Sequence, residues 1–357
     1  MVINMPRILF LTIKYPSNTA ISIRVRYFKE ALINSGYDVI VHELKLGSKA
    51  TNLLKYLMPS IDKELRASAS QVDLIYTTTP PPILPILAHK LYKELGIKYI
   101  VDIRDAWEEY AKETYPTFIV KLIERKYLKA LRQALSIIVV TEYLANLYKR
   151  KLGVDPVVIP NGTDTSIIKC RDEDHEGNTI AVLADFNNPY QELSPLLKAL
   201  TMLPQLHLIV IGSGKYLKKY MEEAIKLGIN DRISWVGHVD YNKLSKFLCR
   251  ASIGVVCRPA IESPAYQSAI PSKTYDYLAA GLPVLGYGPR NAQLDKFLTE
   301  HEVGLYIEGN DPNKIAKGIV KLLKDANNLR KKAREIANRY SRPKLAKTLI
   351  TIIRRLC

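Results

Sequence analysis

The chain has 357 residues, 47% of them apolar and 24% charged, and a formal net charge of +17. That length exceeds what one hydrophobic core usually spans and the composition is that of a folded protein, which excludes both a single small domain and a disordered chain. The longest apolar runs, such as Leu208–Gly212 and Ile253–Cys257, fall far below the ~20 residues of a bilayer span, and Met1–Pro6 shows no basic stretch followed by a long apolar one, so a cytosolic chain is expected.

In chain order, apolar runs predict strands at Arg7–Thr12, Val39–Glu43, Leu74–Thr77, Tyr99–Ile103, Ile137–Val140 and Val157–Ile159. Amphipathic segments between them predict helices near 23–35, 83–95, 118–134 and 142–152. Strand and helix in alternation give an α/β, doubly wound parallel sheet. The turn "IPNGTD", Ile159–Asp164, falls where a hinge would be useful, although Asn-Gly by itself is an ordinary turn signal.

The charged segment "CRDEDHEGN", Cys170–Asn178, interrupts the pattern, which restarts with strands at Thr179–Ala184, His207–Gly212, Ile233–Val236, Ile253–Cys257, Val284–Tyr287 and Gly304–Tyr306. Two Rossmann-like domains are therefore expected, facing a cleft, with ligands beyond the carboxyl ends of the strands where strand order reverses. After Pro312 the chain reads as helix, broken at Ser341-Arg342-Pro343. The last segment has no strand left to cover and is expected to pack back on the first domain.

Charge concentrates at that end, where residues 314–357 hold fourteen Lys or Arg against Asp325 and Glu335. Such a patch suits nucleic acid, an acidic membrane surface or phosphate-bearing substrates, and a solvated helix face is the plainer reading. Cys170, Cys249, Cys257 and Cys357 lack CxxC spacing and read as free thiols. The six histidines, His42, His89, His175, His207, His238 and His301, have no ligand spacing, so no metal is expected.

The stretch "IPSKTYDYLAAGLPVLGYG", residues 270–288, carries the most chemistry. Pro271 and Ser272 suit a helix start, with Ser272 as the cap, and Gly281 followed by Pro283 suits its stop. The backbone amides of Lys273, Thr274 and Tyr275 would then form an anion site at the helix mouth. Lys273 and Asp276, three apart, share one side of the helix. Amides and a Lys for a pyrophosphate and a carboxylate for ribose hydroxyls match a nucleoside diphosphate, while a capped core helix with a surface Lys–Asp pair matches the same residues. Three further loops follow strands of the same half. They are the Gly212-Ser213-Gly214 turn, the Gly237–His238 turn in "WVGHV", and the long loop Cys257–Lys273 with Arg258 and Glu262.

Together "LHLIVIGSG", "WVGHV", "IPSKTYDYLAAGLPVLGYG", "VIPNGTD" and "DIRDAW" make the chain resemble the retaining glycosyltransferases of family 4, glycosyl transferases group 1, which have the GT-B fold. The resemblance implies an acceptor-side domain at 1–168 with a crossover helix at 342–357, and a donor domain at 178–341. It implies a nucleotide-sugar donor, UDP- or GDP-linked, with its ribose on Asp276, its diphosphate at Ser272, Lys273, Thr274 and Tyr275 beside Gly212 and Gly214, and its base at Gly237, His238 and Val239. Ser268 stands where the family has the first acid of its Glu-x7-Glu motif, and the family's Arg and Lys after the first strand of the second domain are missing from Leu183–Leu196. Arg258 and Lys273 are expected to supply that charge.

The implied reaction moves a hexose-type sugar to an acceptor hydroxyl with retention, without metal or cofactor, in glycan/glycolipid or protein N-glycan precursor assembly. Asp105 of "DIRDAW" would orient the acceptor, a sugar or lipid-linked sugar entering past "YPSNTAISIRVR", whereas Asp102 reads as structural. A basic stripe, Lys121, Arg125, Lys129 and Arg132, beside Phe118, Leu122, Ile123, Tyr127 and Leu131 is consistent with peripheral contact with an anionic membrane and equally with a domain-covering helix. A nucleotide-sugar epimerase of the same architecture is the other enzymatic reading. A nucleic-acid binder is disfavoured by the absence of zinc-finger, RNP-like or basic-zipper signatures, so no nucleic-acid partner is expected.

Overall fold

The computed structural model describes residues 5–17, 19–47, 55–187 and 189–356. The chain forms two compact units, Met1–Pro160 with Pro343–Cys357, and Asn161–Arg342.

In the first unit, β1 (Arg7–Thr12), β2 (Asp38–Glu43), β3 (Leu74–Thr79), β4 (Lys98–Ile103), β5 (Ser136–Val139) and β6 (Val157–Val158) make one parallel sheet in the order β2-β1-β3-β4-β5-β6. The inner strands β1, β3 and β4 are covered on both faces, which is why they read as unbroken apolar runs instead of alternating. Helices Ala20–Ile33, Ile83–Leu95, Thr117–Arg132 and Glu142–Leu152 lie where periodicity places them, and two short helices, Lys63–Ala69 and Trp107–Thr114, carry no clear period. The last helix, Arg342–Leu356, buries Ala346, Leu349, Ile350 and Ile353 among Ile8, Phe10, Val25 and Phe28 of this unit. That spacing is one face of a helix.

The second unit repeats the plan with β7 (Thr179–Leu183), β8 (His207–Ile211), β9 (Ile233–Gly237), β10 (Ile253–Cys257), β11 (Val284–Gly288) and β12 (Gly304–Glu308), in the order β12-β11-β10-β7-β8-β9. Strand order reverses between β7 and β10 here, and between β1 and β3 in the first unit. The chain leaves the first unit at Pro160, short of the boundary at 168 expected from sequence. Residues 161–168 belong with the second unit because Thr163 pairs with Ser341, its N–H donates to the Tyr340 carbonyl at 3.2 Å, and Ile168 is buried with Ala181, Val256 and Tyr277.

The expectation of free thiols is corrected for two of the four. Cys170 and Cys249 form a disulfide, with Cα atoms 5.1 Å apart and a sequence separation of 79. The linking segment packs with Phe247 beside the core that holds Ile168, which brings together two cysteines whose spacing carries no signature. Cys257 is free and buried, and Cys357 lies outside the described residues. Among the described residues no helix is long and apolar enough to cross a membrane.

Candidate active site

The helix Ser272–Ala279 connects the long loop after β10 to β11, and Lys273 to Ala279 are all buried. Tyr277 fixes its position. The ring lies on Gly254, where a Cβ would come within 2.2 Å of the ring, and the hydroxyl donates to the Val255 carbonyl at 3.2 Å while accepting from the Leu183 N–H at 2.6 Å. β7 and β10 pair only through Ile253–Ile180 and Gly254–Ala181, so the hydroxyl bridges their diverging carboxyl ends. The helix thereby starts at the point of strand reversal, where sheets of this type bind ligands.

The start of the helix differs from the expectation. Ser272 is the first helical residue and not the cap; Pro271 holds the cap position, with ψ of 139°, and no side chain caps the helix. The Thr274 N–H closes on the Pro271 carbonyl at 2.9 Å, so it is not one of the amides facing outward. The Thr274 hydroxyl is buried without a hydrogen-bond partner. Such a group is costly unless something meets it.

Lys273 is 8% exposed and donates from Nζ to Gln191 Oε1 at 2.7 Å, a neutral amide on the loop after β7. Burial lowers its pKa to about 8, with the Arg258 charge acting in the same direction against Cys257 and Asp185. Arg258, the first residue past β10, is buried and stands over the Tyr266 ring at 5.7 Å. Two cations are thus held in each other's field at the reversal point. The geometry brings together Lys273 and Arg258 as the sequence proposed, and adds Gln191, which no motif marked.

Asp276 turns elsewhere. It is 4% exposed, and its Oδ1 accepts from Thr163 Oγ1 at 2.7 Å and from the Tyr241 hydroxyl at 2.8 Å. Burial raises its pKa, opposed by the nearby Arg342 charge. Arg342 in turn sits 4.7 Å over the Tyr241 ring. An exposed carboxylate three residues from Lys273 is not what the fold makes. Both hydrogen bonds fall on Oδ1, so Oδ2 is the oxygen that can meet a ligand hydroxyl. Thr163 and Tyr241 were not read as site residues, being 113 and 35 positions away.

The Gly212–Gly214 turn has a packing reason for its glycines. A Cβ on Gly212 would lie 1.8 Å from the Ala184 carbonyl oxygen, and one on Gly214 would lie 2.2 Å from the backbone of Phe186. The Gly212 N–H donates to the Gly237 carbonyl at 2.7 Å. His238 is exposed and Val239 half-buried. Ser268 is buried, and the acid nearest to it in the chain, Glu262, accepts from Gln267 Nε2 at 3.1 Å and from the Arg290 N–H at 3.0 Å. Among the described residues no group of three or more His, Cys, Asp or Glu is placed to hold a metal ion.

In the first unit, Asp105 follows β4 and is half-buried. Asp102 is buried and accepts from Arg24 at 2.7 and 2.9 Å and from the Tyr76 hydroxyl at 2.6 Å. Burial opposes the Arg24 charge, but the Asp102 carboxylate outweighs it and holds Arg24 above its ordinary pKa. Arg24 also donates to the carbonyls of Ile159 and Pro160, fixing the end of this unit.

Comparison with known proteins agrees with this architecture. Residues 166–340 match the family described as Glycosyl transferases group 1, and residues 21–167 match Glycosyltransferase Family 4. The chain is a glycosyltransferase. Its group 1 domain carries Arg258, Lys273 and Asp276, and its family 4 domain carries Asp105. No curated protein sequence matches the chain. Solved structures share the fold. Sucrose-phosphate synthase from Thermosynechococcus elongatus is 18% identical with a TM-score of 0.79, covering 98% of this chain and 99% of its own. Anabaena Alr3699/HepE in complex with UDP-glucose is 16% identical with a TM-score of 0.73, covering 98% and 100%. A glycosyltransferase from Rickettsia africae is 13% identical with a TM-score of 0.68, covering 99% of both.

Proposed function

We propose that this glycosyltransferase moves a hexose from a UDP- or GDP-linked donor to an acceptor hydroxyl with retention of anomeric configuration and without a metal ion. The observation that carries the reading is the buried Lys273–Arg258 pair at the β7/β10 reversal. A cation held only by the neutral Gln191 amide is poised to exchange that amide for a phosphate oxygen. The structural likeness to Anabaena Alr3699/HepE, solved with UDP-glucose, supports the choice of donor class.

Breaking the sugar–diphosphate bond builds negative charge on the leaving phosphate and positive character on the anomeric carbon. Lys273 and Arg258 meet the first, in a site already desolvated, where such interactions act most strongly. Thr274 Oγ1 adds a hydroxyl donor to the same oxygens. Asp276, anchored through Oδ1, offers Oδ2 to a ribose hydroxyl, and the Gly237–Val239 turn receives the base. A donor phosphate oxygen takes the acceptor proton on the sugar face that the leaving group vacates, which gives retention, and Asp105 orients the acceptor hydroxyl.

The acceptor is a sugar or lipid-linked sugar, in glycan or glycolipid assembly, and the enzyme works peripherally on the cytosolic face of an anionic membrane. Helix Thr117–Arg132 buries Val120, Ile123, Tyr127, Ala130 and Leu131 but leaves Phe118 67% and Leu122 47% exposed. Lys121, Arg125, Lys126, Lys129 and Arg132 are exposed on the same helix, whose Glu124 is half-buried 3.7 Å from Lys151. Lys126 donates to the Leu57 carbonyl, which sets Met58, 79% exposed, beside this helix. Apolar side chains ringed by unneutralised cations suit an anionic lipid surface.

The test is UDP or GDP release from a panel of nucleotide sugars, with excess EDTA in parallel and the product anomer read by NMR. Turnover that survives EDTA and gives a retained product is expected. An inverted product, or no turnover of any UDP- or GDP-sugar, refutes the reading.

A further inference from the structure

The first unit also has a reversal point, between β1 and β3, and two cations stand at it with no carboxylate bonded to either among the described residues. Arg104, the first residue past β4, reaches back over β3: its N–H donates to the Thr79 carbonyl at 2.9 Å, Nε to Thr78 Oγ1 at 3.0 Å and Nη2 to the Pro80 carbonyl at 3.2 Å. These neutral acceptors fix the plane of the guanidinium and use two of its five N–H donors. Lys14 stands two residues past β1. Counting on from the Leu11–Thr77 pair of the β1/β3 register, it is level with Pro80, the residue whose carbonyl Arg104 holds.

Lys14 is exposed and has a φ of 53°, a left-handed conformation that non-glycine residues rarely adopt and that clusters at functional edges. Among the described residues no carboxylate lies within the 4.0 Å ion-pair distance of either side chain. Burial pulls Arg104 below its ordinary pKa, while Asp105 and Asp102 favour its charged form. The Asp102 oxygens accept from Arg24 and Tyr76 and not from Arg104. Elsewhere in this unit Arg24 is neutralised directly by Asp102, and Lys151 by Glu108 and Glu109. Arg104 is therefore an oriented, half-buried fork that presents its remaining donors at a ligand-binding edge, with a lysine across from it. A fork of that kind matches the paired oxygens of a phosphoryl group.

We propose that Arg104 and Lys14 bind a phosphoryl group carried by the acceptor, which makes the acceptor a sugar phosphate, free or carried on a lipid. This rests on the glycosyl-transfer reading, since it assigns the first unit's edge to the acceptor. The phosphoryl group anchors the acceptor at Arg104 while the hydroxyl to be glycosylated is presented beside Asp105, the next residue.

Thermal melting of the full chain tests it, with three phosphoryl probes set against their counterparts: inorganic phosphate against chloride, glucose 6-phosphate against glucose, and undecaprenyl phosphate against undecaprenol in detergent. The Lys273→Gln background silences phosphate binding at the donor site. Stabilisation by phosphoryl probes only is expected, with at least tenfold weaker apparent affinity in Arg104→Gln, a partial loss in Arg104→Lys and about threefold weakening in Lys14→Gln. The sugar and lipid arms say which source is preferred. UDP should still raise the melting temperature of Arg104→Gln with Lys273 intact; if that variant has no cooperative melt, Arg104→Lys and Lys14→Gln carry the test. Equal stabilisation of wild type and all three variants means an adventitious ion only and overturns the proposal. So does stabilisation by no phosphoryl probe, or a loss seen only with Lys273→Gln. Failure of donor turnover, read separately by nucleotide release, refutes the glycosyl-transfer reading and leaves the phosphate result standing on its own.

Discussion

Replacing Asp276 separates its two roles. In Asp276→Ala, Thr163 Oγ1 and the Tyr241 hydroxyl both lose their acceptor. The two hydroxyls lie 3.3 Å apart and can turn on each other, which leaves about one buried donor unsatisfied. One such orphan costs ~1–3 kcal/mol. At roughly 2–4 °C per kcal/mol for a unit of this size, ~2 kcal/mol lowers the melting temperature by about 4–8 °C. This exceeds the ~0.3–1 kcal/mol expected for a carboxylate acting only on a helix dipole. Asp276→Asn behaves differently. Its amide oxygen keeps both hydroxyls, and removing a charge that burial disfavours offsets part of any loss, so the melting temperature should stay within about 2 °C. At the ribose, however, an N–H replaces a charged acceptor, and loss of that bond at ~1.5–3 kcal/mol lowers kcat/KM by about 10–100-fold. Melting with and without UDP, beside steady-state nucleotide release, measures both. An Asp276→Asn enzyme within threefold of wild type in kcat/KM would refute the ribose role, and an Asp276→Ala enzyme that melts with wild type would refute the anchoring role.

Lys273 has a pKa near 8 in the fold against an ordinary 10.5. Between those values the unfolded chain binds the proton and the folded one does not, so stability should rise with pH across that window, while kcat/KM of the free enzyme falls above pH ~8 as the cation is lost; a flat profile to pH 9.5 would show that the charge is not used. Reduction of Cys170–Cys249 frees a loop of 79 residues, worth ~4.5 kcal/mol in the chain-entropy account, so dithiothreitol or Cys170→Ser should lower the melting temperature, and an unchanged melt would refute that contribution. Phe118→Ser with Leu122→Ser should weaken sedimentation with anionic vesicles at low salt, and Arg125→Glu with Lys129→Glu should abolish it; equal sedimentation with neutral and anionic vesicles counts against membrane recruitment. Deleting 343–357 strips Leu349 and Ile353 from the first unit's core, and a truncated chain with wild-type activity and melting temperature would refute its structural role.

The fold was legible because its signal is local. Each of the twelve strands among the described residues begins or ends within about two residues of an apolar run visible in the sequence, since strands buried on both faces need unbroken apolar stretches. Helices with a clear apolar face were legible for the same reason, while Lys63–Ala69 and Trp107–Thr114, of 7 and 8 residues, are too short to show a period. The expected Ser272 cap is displaced because Pro271, at ψ 139°, takes the cap position one residue earlier. The long-range partners left no trace. Gln191 meets Lys273 across 82 residues, Thr163 meets Asp276 across 113 and Cys170 meets Cys249 across 79. The residue types in the site could be read, but which atoms they face depends on sheet order.

Sheet order also explains why Lys273 and Asp276, three residues apart, do different work. A helix buried along its whole length and pinned by Tyr277 between Leu183 and Val255 cannot rotate to suit a ligand. Its first turn is therefore presented at the strand reversal, and its next turn faces Thr163 and Tyr241. Burial makes both charges unfavourable, lowering the Lys273 pKa and raising that of Asp276. Neither group makes an ion pair with the other, and each is held by uncharged partners. Charges kept apart in this way are relieved most by a ligand with a phosphate at one end and hydroxyls at the other. On the proposed glycosyl-transfer reading, the strain of burial favours the bound state, and the transition state further, because negative charge on the phosphate grows as the glycosidic bond breaks.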